Sequence, residues 1–368
     1  MVLTFEQYNC GYIVASVARN IEVCNELLSS KLNVIFINDN NIILYPGLIQ
    51  LKLRPDDIQK LDFFSEFDVI EINELGRAYQ CFSANSPDNA ILVTDKCNSN
   101  CVMCPVSEGV RKSGKTKDIS VLAEIVRHIP AFAEHLTITG GEPFLLGTKL
   151  FDLLSLLKYH VPEIEYLLLT NGRAFSIENY VSRFQEVVPH KTIIGIPLHG
   201  YDAKTHDGIT QSKGSFEQTY IGLKRLLQTS CNVELRVVVS RLNVSYINHI
   251  AELIATEFSN VWRVDFLGLE MLGNAAKNVE KVWISYSEAF REIKSAIDIL
   301  VSKGIDVGIY NFPLCSVEQG YRSLCHKSIT DYKIRYKEEC SNCMEKDACG
   351  GIFSGTIRLV NDLKPIRG

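Results

Sequence analysis

From Asn89 onward, short apolar runs alternate with stretches whose apolar positions recur every three or four residues. That rhythm predicts βα units and a parallel sheet. Strands are expected at Ile91–Thr94, Leu136–Thr139, Tyr166–Leu169, Ile193–Pro197, Val233–Val239, Trp262–Leu267 and Val307–Tyr310. Helices are expected at Val121–His128, Leu150–Tyr159, Phe216–Leu227, Ile247–Glu257 and Glu288–Val301. Six or seven units in series imply a full or partial (β/α) barrel. In such barrels the chemistry sits at the C-terminal ends of the strands.

The stretch before Asn89 has another texture. Ile21, Cys24, Leu27 and Leu28 have helical spacing. Val34–Ile37 and Ile42–Leu44 read as strands either side of the turn Asn38-Asp39-Asn40-Asn41, and Ile49, Leu51 and Leu53 alternate as in a half-buried strand. Val69–Ile72 and Tyr79–Phe82 frame a hairpin. The polar run from Ser83 to Asn89 marks a boundary. The expected organisation is a small N-terminal α+β domain over 1–88, a barrel over 89–312 and a cysteine-rich extension over 313–368. The N-terminal domain carries no candidate chemistry; it packs on the barrel or holds a partner.

The net charge of −5 gives no support for a nucleic-acid or anionic-membrane surface. The N-terminus lacks a basic region before its apolar residues, and no apolar run reaches the roughly 18 residues of a membrane span. A cytoplasmic protein is expected. The 12 cysteines matter because eight of them fall in two groups. Cys97, Cys101 and Cys104 form one; Cys315, Cys325, Cys340, Cys343 and Cys349 form the other. Tight spacings in an intracellular chain read as metal-binding rather than disulfide-linked. Cys10, Cys24, Cys81 and Cys231 read as small buried hydrophobes.

The first group leaves the first barrel strand as C-x3-C-x2-C. Three thiolates are one short of a closed tetrahedral metal site and one short of saturating a four-iron cluster. Zinc with a fourth ligand elsewhere would satisfy them; an open [4Fe–4S] cluster explains them better. The next strand ends in Gly140-Gly141-Glu142-Pro143, where the backbone can approach a ligand and a carboxylate can accept hydrogen bonds from an ammonium group. Thr170-Asn171-Gly172, His199 and Glu270 also fall at expected strand ends. Lys112, Lys115 and Lys117 read as a solvated loop.

Cys97-x3-Cys101-x2-Cys104 followed by Gly140-Gly141-Glu142-Pro143 resembles the radical S-adenosylmethionine (SAM) superfamily. The resemblance implies a partial (β/α)6 TIM-like barrel and a [4Fe–4S] cluster on Cys97, Cys101 and Cys104, with SAM chelating the fourth iron. Gly140, Gly141 and Glu142 would contact its amino group. Reduction would cleave SAM to a 5′-deoxyadenosyl radical that abstracts hydrogen from substrate. The position before the third cysteine is often aromatic in the family; here Met103 would pack against adenine. Pro143, Asn171, Arg236 and Asn243 are further candidates for the SAM pocket. In the fourth unit Pro197 and His199 stand where related peptide-modifying enzymes carry serine and aspartate, which puts ribose contacts there in doubt. No catalytic residue is identified.

Cys340-x2-Cys343-x5-Cys349 has metal-ligand spacing, and zinc would suit it by spacing alone. In this context it resembles the SPASM or twitch extension. That implies one auxiliary [4Fe–4S] cluster on Cys315, Cys340, Cys343 and Cys349, with Cys325 as reserve ligand. The stretches around Met103-Cys104-Pro105, Phe266–Ala275 and Ile309–Cys315 resemble the His-Xaa-Ser system radical SAM maturases. This implies a small ribosomal peptide or protein as substrate, a second radical SAM partner, and an electron donor such as flavodoxin or ferredoxin. Two alternatives stand beside it. One is a radical SAM enzyme for a small-molecule precursor, which should tolerate deletion of residues 1–88. The other is a non-catalytic zinc-binding interaction protein.

Overall fold

The computed structural model describes residues 2–39 and 41–367. Asn40, in the expected turn, lies outside them. Strands β1 (Val2–Glu6), β2 (Ile13–Ala18), β3 (Val34–Asn38), β4 (Asn41–Tyr45), β5 (Ile49–Leu53), β6 (Val69–Ile72) and β7 (Arg77–Phe82) close into a barrel. Closure comes from β1, which pairs antiparallel with both β5 and β7. Leu3, Phe5, Val17, Ile35, Leu44 and Ile70 are among the side chains that fill it. The expected strands and the helix Ile21–Ser29 are present. The two unexpected strands, β1 and β2, are the ones that complete the ring. β2 escapes a period-two reading because both of its faces are covered. Ala15 and Val17 point into the barrel, Val14 into the main core and Ala18 towards the helix.

The rest is organised by one parallel sheet whose strands lie side by side in chain order. They are β8 (Ala90–Leu92), β9 (His135–Thr139), β10 (Glu165–Leu169), β11 (Thr192–Pro197), β12 (Asn232–Val238), β13 (Arg263–Leu267), β14 (Val307–Tyr310) and the two-residue β15 (Cys325–His326). The first seven match their expected spans to within two residues. Each is followed by a crossover, as parallel neighbours require. Among the described residues β8 and β15 do not pair, so the barrel is partial. Alternate residues such as Leu136, Leu168, Ile194, Val237, Val264 and Ile309 are buried against the surrounding helices, each contributing about 2 kcal/mol of apolar burial.

The two barrels share a packed joint. Val14, Val69 and Phe82 belong to the main core, and Ser16 Oγ lies 2.8 Å from Nδ1 of His128 on the helix Ile119–His128. Lys117, expected in a solvated loop, instead pairs with Glu71 of β6 at 2.6 Å, with both side chains at least two-thirds buried. The C-terminal segment is mostly short 3-10 turns plus the small ladder β16 (Ile334–Arg335) with β17 (Ile352–Phe353). Thr356 Oγ1 accepts from Met271 N and donates to Leu269 O, and Lys333 pairs with Glu270 at 3.1 Å. These contacts hold the segment against the loop after β13.

Candidate active site

The loop after β8 carries Cys97, Cys101 and Cys104 across the C-terminal end of the sheet. Its shape is set by partners from distant elements. Asn100 N and Val102 N donate to Thr210 O and Ile209 O. Asn274 donates from its backbone to Cys104 O at 2.9 Å and from its side chain to Cys101 O at 3.1 Å. Arg173 donates to Asn98 O, Ser99 Oγ and Ser212 Oγ. Ser99 N and Val106 N donate to the sulfurs of Cys97 and Cys104, both at 3.4 Å. Burial, then Cys104 and Cys97 themselves, push the Cys101 thiol up to about 12. Burial also raises Cys97. Three clustered sulfurs, two of them with amide donors, whose thiolates would repel one another form a donor set that a cationic iron–sulfur cluster relieves.

The Gly-Gly-Glu-Pro turn packs directly on this loop. Gly141 N donates to Thr94 O and Glu142 N to Lys96 O, at 2.7 and 2.8 Å. A Cβ on Gly140 would lie 2.5 Å from Thr94 O, and one on Gly141 2.2 Å from Lys96 O. The two glycines therefore let two backbones touch. Glu142 is buried, and its carboxylate accepts from Phe144 N, Thr170 Oγ1 and Asn171 N at 3.0, 2.7 and 2.7 Å. Burial raises its pKa while these donors oppose the rise. Pro143 opens a 3-10 turn. Asn171 donates from its side chain to Asn98 Oδ1, tying the third strand end to the cysteine loop.

Residues 91–254 match the radical SAM superfamily model. The match opens on β8, takes in the cysteine loop and the Gly-Gly-Glu-Pro turn, and ends in the helix Ile247–Glu257. The chain carries a radical SAM domain. GTP 3′,8-cyclase of Petrotoga mobilis is 25% identical over 210 residues, 55% of this chain and 61% of that protein. AdoMet-dependent heme synthase of Methanosarcina barkeri is 26% identical over 183 residues, 48% of this chain and 49% of that protein. The crystal structure of Streptococcus suis SuiB bound to the precursor peptide SuiA has a TM-score of 0.50 at 14% identity. It covers 66% of this chain and 52% of that one, and shares its fold. The chain thus spans about half the length of these relatives. That domain family implies a [4Fe–4S] cluster and SAM.

Within and around this domain the remaining candidates divide. Met103 is buried in a small apolar group with Ile209, Leu269, Met271, Ala275 and Val282. Asn243 spends its side chain on Val238 O, His199 O and Ser240 N, so it shapes the turn after β12. His199 and His206 stack at 5.7 Å, and burial holds them neutral, down to about 3 and about 4. Arg236 lies inside the barrel, in the middle of β12, with its guanidinium 3.2 Å from Glu234. The clamps Arg173 and Asn274 carry no motif. Gly273, whose Cβ would meet Pro105 O at 2.3 Å, is the local signal that the loop after β13 touches the cysteine loop.

The C-terminal cysteines come together. Cys315, Cys340, Cys343 and Cys349 line one small cavity with Tyr336 and Ile352. Leu314 N and Gly351 N donate to the Cys349 sulfur, each at 3.4 Å. Burial, then Cys349, Cys340 and Cys343, raise Cys315 to about 11. Cys325 does not line this cavity and packs against the main core from β15. Among the described residues no three His, Cys, Asp or Glu side chains converge on one ion position. A four-iron cube does not require that, because its thiolates sit on separate irons. All 12 cysteines are free, with Cys24 buried and Cys10, Cys81 and Cys231 half-buried.

Proposed function

We propose that the chain is a maturase acting on a small ribosomal peptide or protein, of the His-Xaa-Ser system type. Cys97, Cys101 and Cys104 would bind the [4Fe–4S] cluster that SAM completes. Cys315, Cys340, Cys343 and Cys349 would hold one auxiliary [4Fe–4S] cluster. The observation that carries this reading is the meeting of four cysteines, from segments up to 34 residues apart, around one cavity beside the partial barrel. An extension of that design suits a peptide modifier, and SuiB, which shares the fold, was crystallised with a precursor peptide. When bound, cluster and SAM supply a reductively generated 5′-deoxyadenosyl radical that takes hydrogen from substrate. The chain's own part is positional. Arg173, Asn274 and the Gly140–Gly141 backbone fix the cysteine loop, and Glu142 fixes the adjoining strand ends. A flavodoxin or ferredoxin would supply the electron, a second radical SAM protein is the expected partner, and the cytoplasm is the compartment proposed.

A second reading is an enzyme for a small-molecule precursor, favoured by the sequence matches to a GTP cyclase and a heme synthase. Anaerobic protein is expected to hold about eight irons, about four after Cys340→Ser, as two four-iron clusters require. Reduced protein should release 5′-deoxyadenosine from SAM, and Cys101→Ala should stop it. Zinc in place of iron, or cleavage that survives Cys101→Ala, would overturn the radical assignment. Coexpression with candidate His-Xaa-Ser peptides and both enzymes should yield mass losses of whole hydrogens. Unmodified peptides alongside active SAM cleavage would favour the small-molecule reading.

A further inference from the structure

Strands β12 to β15 have two unlike faces. Leu235, Val237, Val264, Phe266 and Ile309 pack outward in the main core. The inner positions are Glu234, Arg236, Arg263, Asp265, Gly308, Tyr310 and His326. Register places Glu234 beside Arg263, Arg236 beside Asp265, Asp265 beside Gly308 and Tyr310 beside His326. Arg236 and Arg263 reach Glu234 at 3.2 and 3.5 Å, and Arg263 donates to Tyr310 Oη at 2.6 Å. The Tyr310 and His326 rings stack at 4.6 Å, 16° from parallel.

Burial sorts these groups by charge. The side chains of Glu234 and Asp265 are 5% and 1% exposed, those of Arg236 and Arg263 21% and 20%. The acids are the more deeply buried, Arg263 stacks 4.5 Å over the Trp262 ring at the start of β13, and Arg236 sits nearer the C-terminal end of the sheet. A Cβ on Gly308 would sit 2.4 Å from Asp265 Oδ1, so the acid occupies space that a side chain would fill. The network is also incomplete. Arg263 donates from Nη2 to Asp265 Oδ2 at 3.3 Å, but its Nε, 2.9 Å from Asp265 Oδ1, is not aimed at that oxygen, and these two buried atoms lack a hydrogen-bond partner. Glu234 is the only acid paired with Arg236 among the described residues. A network built for stability alone would close its own donors, because buried polar atoms left unpaired cost about 1–3 kcal/mol each. Burial and Glu234 also raise the pKa of Asp265, which tilts the wall towards net positive charge.

We propose that Arg236 and Arg263 form a carboxylate-binding site for the substrate peptide, with the Tyr310–His326 stack flanking it. The site rests on the peptide reading above and moves Arg236 from the SAM pocket to the substrate. A planar guanidinium fork matches a carboxylate in two parallel hydrogen bonds. Arg236 lies two residues, or about 7 Å, below the end of β12. It would therefore anchor an acidic group deeper than the reacting atom. That group is an Asp or Glu side chain or a C-terminal carboxylate.

Three short peptides separate the sources: one with a single Glu and an amidated C-terminus, its Glu→Gln counterpart, and that Gln peptide with a free C-terminus. Binding to anaerobic SAM-loaded holoenzyme is read by saturation-transfer NMR. One or both carboxylate peptides should bind at least tenfold more tightly than the amidated Gln peptide, and Arg236→Gln should abolish the difference. Equal binding of all three, or a preference that survives both Arg236→Gln and Arg263→Gln, overturns the proposal. So does an Arg236→Gln variant that loses SAM affinity but keeps the peptide preference. If the variants fail to fold, the wild-type comparison of all three peptides still decides. SAM cleavage by wild-type protein without peptide is measured in parallel. Its absence would sink the radical reading; cleavage without carboxylate preference would sink only this site.

Discussion

Gly141 shows how much one missing methyl group can decide. Its amide bonds to Thr94 O while its Cα faces Lys96 O, so any side chain must push the cysteine loop off the strand end. Gly141→Ala is expected to cost about 1–3 kcal/mol in overpacking. It should lose iron out of proportion to that cost, because the displaced backbone leads straight into Cys97. Thermal melting and iron content, compared with wild type, check this. A variant with normal iron would mean that the loop accommodates the methyl. The need for two glycines here was legible in the sequence as a close backbone approach. The approach expected was to a ligand, whereas the nearest atoms are the chain's own carbonyls. Glu142 differs in the same way: its carboxylate is engaged by Phe144, Thr170 and Asn171.

At the scale of elements, the parallel strands were legible because their outward faces are continuously apolar, and the crossover helices carry a clear 3.6-residue stripe. What escaped were elements with two covered faces or too few residues, such as β2 and β15, and the polar clamps. Asn274 meets Cys101 across 173 residues, and no spacing rule connects such a pair. The helix Ile119–His128 joins the two barrels through His128, whose ring is fully buried between Ser16 and Glu124, the latter 3.6 Å from Nε2. Burial lowers its pKa from 6.5 to about 4. Above pH 6.5 the ring is neutral in both folded and unfolded chains, so its contribution is fully present. Below that the unfolded chain takes up a proton that the fold refuses until about pH 4, and stability falls. The whole effect is on the order of 3 kcal/mol, with roughly 1 kcal/mol lost by about pH 5.5. In His128→Asn, which keeps a polar atom near Ser16, this slope should be absent. Urea melts at pH 7.5 and 5.5 test it: the stability gap between the two proteins should narrow on acidification, and a constant gap would rule His128 out.

For the whole molecule, the N-terminal barrel has no free sheet edge among the described residues, because β1 closes the ring. Strand addition, a common way to hold a peptide, needs such an edge. Its firmest visible role is in the joint. Val14, Val69 and Phe82 lie in the main core, and burying each is worth about 1.5–3 kcal/mol. The largely buried Lys117–Glu71 pair adds less, about 0–1 kcal/mol after screening. Deleting residues 1–88 should therefore expose the Leu122–Val126 side of the main core. The truncated chain should aggregate or lose its iron whatever the substrate is. Glu71→Gln, which removes only the ion pair, should shift the melting temperature slightly and leave iron unchanged. Size-exclusion chromatography and iron content read both. The deletion then cannot separate a peptide substrate from a small one, because loss of turnover would follow from the damaged core alone. If the truncated chain were instead monomeric with full iron, the joint would be a surface contact, and the N-terminal barrel would become open to direct tests of peptide docking.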